Sequence, residues 1–174
     1  MESRLLHVNL STGELRVEQL SHAMFERWIG GSGINNWIMW EHFLKHDVNC
    51  DARSPDNIFV FGVGPLAGTG SGSGIKGRIT FKSPCYGIFG DSAAGGKFPY
   101  MVRFAGFDHI AVTGKAPRPV YLYLCDGHAE IRKWRDARTL RPVSRQTVSN
   151  RTPAPDSIDI AWLQERTTAM EVSR

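Results

Sequence analysis

Eleven of the chain's 18 glycines fall between residues 62 and 96. The central text is GVGPLAGTGSGSGIKGRITFKSPCYGIFGDSAAGGKF. Glycine loses more backbone freedom on ordering than any other residue. A tract this rich in it is either unfolded or folded around something that needs close backbone approach. Apolar, β-prone runs at Ile58–Phe61 and Ile79–Phe81 bracket and interrupt the tract, which favours the folded reading. Tight turns of this kind expose N–H groups, and with Lys76, Arg78, Lys82 and Lys97 nearby they suit a phosphate or another anion. A set of glycine-rich turns in a compact β domain is the competing reading.

The 174 residues are enough for one core with a small appendage. Twenty-one basic residues against 17 acidic give a net charge of +4, scattered without a basic run, so no nucleic-acid partner is expected. No apolar stretch is long enough for a signal peptide or a bilayer span. Cys50, Cys85 and Cys125 are spaced like neither a disulfide framework nor a zinc motif, and these spacings alone build no iron–sulfur cluster. The expectation is a cytoplasmic protein without a membrane partner.

Leu5–Leu10 reads as a strand turned by Ser11-Thr12-Gly13 into a second at Leu15–Glu18. Ser21 can cap a short helix reaching Trp28, and after Gly30, Gly31 and Gly33 a second helix is expected from about Ile34 to His46. Strands are expected at 58–61, around 79–81, at 109–114, and in a hairpin turned by Asp126-Gly127. Phe98–Arg103 fits a short helix or a strand. From Arg135 the text becomes polar and proline-bearing, like a linker, and Pro155-Asp156-Ser157 can open a final helix carrying Ile158, Ile160, Trp162, Leu163 and Met170.

Acid–base chemistry has few candidates. Asp91, Asp108 and His109 lie near the tract, but a lone histidine opening a strand is more often structural. No GxSxG nucleophile elbow is present. Lys76 and Arg78 stand where the loop becomes a strand, placed either to meet an anion or to serve as solvated edge charges.

These residues resemble the N-terminal domain of the tungsten-containing aldehyde ferredoxin oxidoreductases. VNLSTG at 8–13, WIGGSG at 28–33, GPLAGTGSGSG at 64–74, KGRITFKSP at 76–84, AAGG at 93–96 and FAGFDHIAVTGKAPRPVYLY at 104–123 carry the resemblance, in that order, over roughly residues 5–135. It implies an α+β, strand-rich, two-sheet domain beneath a bis-pterin cofactor of tungsten or molybdenum. By that resemblance Lys76, Gly77, Arg78, Ala93, Gly95, Gly96 and Lys97 are cofactor-binding residues, and the backbone of Ala93 helps hold a magnesium ion. Lys76 stands where an arginine is usual, Ala93 where an asparagine is common, and Ser32 where an arginine is common.

Full members of that family continue through two further domains that supply an iron–sulfur cluster and enclose the substrate. The expected role is therefore a non-catalytic metallopterin-binding or scaffold subunit, with no catalytic residue and no iron–sulfur cluster of its own. A structural or regulatory domain that has lost the cofactor, or a small subunit of a split oxidoreductase, is the alternative. Residues 1–135 are expected to form the domain and 136–174 a linker with a docking helix. An open cradle also predicts a homo-oligomer, namely a homodimer, or an oxidoreductase partner subunit.

Overall fold

The structure is a computed structural model that describes residues 3–71 and 74–133 and the backbone of 158–160. Strands β1 (Ser3–Asn9) and β2 (Glu14–Leu20) form the expected hairpin. Helix α1 (His22–Trp28) follows, with Ser21 Oγ accepting from the Met24 amide as its cap, and then α2 (Ser32–Lys45). Strands β3 (Phe59–Val63), β4 (Gly77–Lys82) and β5 (Phe89–Ala94) form an antiparallel meander around the glycine-rich tract. Helix α3 (Phe98–Phe104) leads to β6 (His109–Thr113). A second hairpin, β7 (Val120–Cys125) and β8 (His128–Lys133), turns at Asp126 and Gly127. Their φ values of 47° and 77° are what a two-residue hairpin turn needs.

Six strands make the main sheet, in the order β2-β1-β6-β3-β4-β5, and all neighbours are antiparallel except β1 with β6. Alternation along the strands gives the sheet two apolar faces. Leu5, Val60 and Ala111 face α1 and α2, where they pack with Ile34, Ile38 and the half-buried Trp28 and Trp37. Leu6, Val8, Phe61, Ile79, Ile110 and Val112 face the other way, against Val102 and Phe107 and against Leu122 and Leu124 of the second sheet. The molecule is thus helix, sheet, then sheet with α3: an α+β, two-sheet domain.

The second sheet has the order β8-β7-β9, where β9 is Ile158–Ile160. This corrects the expectation that these residues open a helix. Ile158 and Ile160 pair with Leu124 and Leu122 of β7, and a β-branched run finds ladder partners there that a helix start would forgo. The remainder of the expected linker and docking helix, including Trp162, Leu163 and Met170, lies outside the described residues. Among the described residues no helix is long and apolar enough to cross a membrane.

Candidate glycine-lined cradle at the end of the main sheet

Helix α2 begins two residues before the expected Ile34, because its entry is tied to the sheet. The Gly31 amide donates to the Val63 carbonyl at 3.0 Å, and Gly31 caps the helix with φ 53°, ψ −125°. Gly30 also has positive φ (134°), and a Cβ there would meet Pro65 Cδ at 3.3 Å. Glycine is needed at both positions, for conformation and for close approach.

Val63 pairs with Gly77 and Gly77 with Ala94, so a row runs Gly31, Val63, Gly77, Ala94 across the end of the sheet. Lys76 immediately precedes the first paired residue of β4, and Gly64 and Gly95 immediately follow that residue's partners on β3 and β5. A Cβ added at Gly64 or at Gly95 would find no atom within 4 Å. Lys76 therefore leaves β4 beside two glycines that have open space where a side chain would stand. Among the described residues neither Lys76 nor Lys97 has a recorded hydrogen bond or ion pair.

The structure thus brings Lys76, Gly77, Arg78, Ala93, Gly95, Gly96 and Lys97 to one end of the β4–β5 hairpin. They are not equivalent. Gly77 is buried, and a Cβ there would stand 2.6 Å from the Phe61 ring. Its role is packing beneath the surface. The Arg78 guanidinium is engaged with Asp91 at 3.2 Å. Ala93, Gly95, Gly96 and Lys97 are exposed.

Two residues that sequence reasoning passed over hold this end in place. Arg103 of α3 donates to the Gly64 and Pro65 carbonyls at 3.1 Å each, and lies 3.7 Å from Asp108. Asp108 accepts from the Arg4 amide at 3.0 Å. It is a clamp between β1 and α3 rather than an acid–base group. Asn35 of α2 donates to the Val60 carbonyl, the Arg78 carbonyl and Thr80 Oγ1 at 3.3, 3.0 and 3.4 Å. Its Oδ1 is then the acceptor for His109 Nδ1–H at 2.9 Å. Burial alone lowers the His109 pKa to about 3, so the ring is neutral, and its Nε2 has no partner among the described residues. His109 is a structural histidine on the helix side of β6. The only sequence signal for Asn35 is its place next to Ile34 on the buried face of α2, in line with Ile38.

A sizeable groove lies elsewhere. An open groove of about 1100 Å³, lined by Met24, Trp28, Trp37, Trp40, Ile88 and Phe89 among others, lies at the far end of the β4–β5 hairpin from Lys76. It is mostly apolar and has no cluster of reactive groups. No set of three or more His, Cys, Asp or Glu side chains able to hold a metal occurs among the described residues.

The described residues thus form a two-sheet base whose open, glycine-lined end carries Lys76 and Lys97. Residues 5–152 match the family described as "Aldehyde ferredoxin oxidoreductase, N-terminal domain". The tungsten-containing aldehyde ferredoxin oxidoreductase of Pyrococcus furiosus is 37% identical over 129 residues, which are 74% of this chain and 21% of that enzyme. The aliphatic sulfonate oxidoreductase, WOR-like subunit, of the same organism is 32% identical over 130 residues, 74% of this chain and 20% of its own length. Among solved structures, a chain from the active site complex BamBC of benzoyl coenzyme A reductase, in complex with 1,5-dienoyl-CoA, superposes with a TM-score of 0.71. It is 28% identical, over 76% of this chain and 20% of that one. The chain belongs to the aldehyde ferredoxin oxidoreductase N-terminal domain family. It spans about a fifth of the length of the curated relatives it matches, 21% of the first.

Proposed function

We propose that this chain is a metallopterin-binding cradle, a non-catalytic scaffold related to the tungsten aldehyde oxidoreductases. The observation that carries the reading is Lys76 at the open end of β4, where Gly64 and Gly95 follow the ends of the two neighbouring strands, each with open space where a side chain would stand. Phosphate groups of a pterin cofactor suit a lone ammonium flanked by approachable backbone. Lys97 adds a second free positive charge beside Gly96. A magnesium ion between such phosphates would need only oxygen ligands, which the exposed backbone near Ala93 can supply without the missing asparagine side chain. When bound, a tungsten or molybdenum bis-pterin supplies redox chemistry that no described side chain of this chain supplies. The chain's own part is to bind and orient the cofactor by charge and backbone contacts.

In this reading the open face is closed by an oxidoreductase partner subunit or by a second copy of the chain, and the compartment is the cytoplasm. The name of one relative includes the word subunit, and the matched stretch is 20% of that relative's length. That name favours a role within a larger assembly.

A second reading rests on Arg78. Its guanidinium is committed to Asp91, and lysine at 76 lacks the planar fork that binds phosphate in two places at once. A domain that kept the fold and lost the cofactor would show this pattern. Thermal unfolding separates the two: a ligand that binds the native state must stabilise it. The cradle predicts a higher melting temperature with metallopterin and magnesium present. The retired domain predicts no change.

A further inference from the structure

Helix α2 ends on two histidines one turn apart, His42 in its last turn and His46 as its C-cap. The His46 amide donates to the His42 carbonyl at 3.0 Å, and the two ring centres lie 4.4 Å apart with planes inclined at 33°. Metal–nitrogen bonds of about 2.1 Å place two imidazoles at adjacent corners of one ion with ring centres roughly 4.5–5.5 Å apart. A small rotation of the side chains takes the pair into that arrangement.

His42 is already held as a ligand would be. Its Nε2–H donates to the Asp56 carbonyl at 2.9 Å, because a carbonyl can only accept. The neutral ring therefore keeps its lone pair at Nδ1. A backbone carbonyl on the second nitrogen is a common support of a metal-binding imidazole. The turn that supplies this carbonyl is fixed on both sides. Asn57 donates to the Ala52 and Lys82 carbonyls at 2.6 and 3.1 Å, and the Pro55 carbonyl accepts from the Gly114 amide at 2.9 Å. His46 is exposed, so either of its nitrogens can turn to the same ion.

The surroundings suit a cation. The C-terminal end of a 14-residue helix carries partial negative charge, and the Asp56 carboxylate favours positive charge at His42. The nearby carboxylates of Asp47 and Glu41 are engaged, with the Asn49 amide at 2.8 Å and with Lys45 at 3.5 Å. Imidazole nitrogen suits nickel, copper and zinc, whereas magnesium and calcium take oxygen ligands.

We propose that His42 and His46 form a two-imidazole site for a divalent ion of the nickel, copper and zinc class, with water in the remaining positions. Helix α2 is about 21 Å long and its other end borders the cradle, so the two sites are separate. The metal site does not rest on cofactor binding.

Amide NMR spectra of the full chain, recorded while Ni²⁺ is added, test it. Ni²⁺ is the probe because its paramagnetism broadens the signals of nearby amides. Below about 1 mM Ni²⁺, selective broadening is expected at residues 42–46 and 54–57, and Mg²⁺ should not compete. His42→Gln and His46→Gln should each raise the Ni²⁺ concentration needed by about tenfold or more, because the second imidazole binds within one chelate. His46 is exposed, so its substitution leaves the fold intact. His22→Gln, at an exposed histidine of α1, should change nothing. No selective broadening in that range, broadening centred on other residues, or an unchanged response in His46→Gln would overturn the proposal.

Discussion

Asn35 Oδ1 and His109 Nδ1 meet at 2.9 Å beneath helix α2, both fully buried, with Gly62 filling the space beside them. This pair joins the helix layer to the main sheet. Asn35 also reaches β3 and β4, so one side chain ties three strands to the helix whose N-terminus borders the cradle. A buried polar group earns its place only when bonded, and every polar atom of Asn35 is.

Gly62→Ala is therefore expected to destabilise the fold. The new Cβ would stand 2.1 Å from Asn35 Oδ1 and 2.2 Å from His109 Nδ1. Overpacking of this kind costs about 1–3 kcal/mol. Urea unfolding measures it, and an unchanged midpoint would contradict the packing described.

Asn35→Ala should cost roughly 2 kcal/mol or more, because the His109 Nδ1–H and the strand carbonyls lose their partner without access to water. Asp91→Asn is the contrasting case. Its ion pair with Arg78 is largely open to solvent, so a loss below about 1 kcal/mol is expected. Equal effects of the two substitutions in denaturant titrations would count against this ranking.

His109 gives stability a defined pH dependence. Its folded pKa is about 3, below the ordinary value of 6.5, so the unfolded chain binds the proton more tightly. The stability it contributes is fully present above pH 6.5 and is lost as pH falls from there toward about 3. The slope from this one group is at most about 1.4 kcal/mol per pH unit. A His109→Asn variant should lose that part of the slope; an identical slope in both proteins would show that the proton binds elsewhere.

Lys82 donates to the Val48 and Cys50 carbonyls at 2.7 Å each and so pins the loop that buries the Cys50 thiol. Removing two charge-assisted bonds in Lys82→Met should raise opening of that loop by roughly tenfold or more. Thiol-labelling kinetics read it directly. Cys85, already exposed, should label at the same rate in both proteins.

Much of this was legible in the sequence because the signals were local. The β1–β2 hairpin, the Ser21 cap and the Asp126-Gly127 turn each depend on neighbouring residues alone. β5 was harder: Gly90, Asp91, Ser92, Ala93 and Ala94 have low strand preference, and pairing with β4 makes the strand. β9 likewise takes its form from β7, over 30 residues earlier in the chain. The glycine tract and Lys76 stood out by composition and resemblance. Asn35 and Arg103 did not, because an amide or a guanidinium in a short amphipathic helix reads as surface until its partners from distant strands and turns are seen.

The cradle reading stands or falls on what the chain carries when purified from cells that make the cofactor. Tungsten and molybdenum analysis together with pterin fluorescence should find metal and pterin in the unmodified protein. Lys76→Glu should remove both without changing the melting temperature of the cofactor-free domain. Absence of tungsten, molybdenum and pterin from the unmodified protein under those conditions would contradict the account.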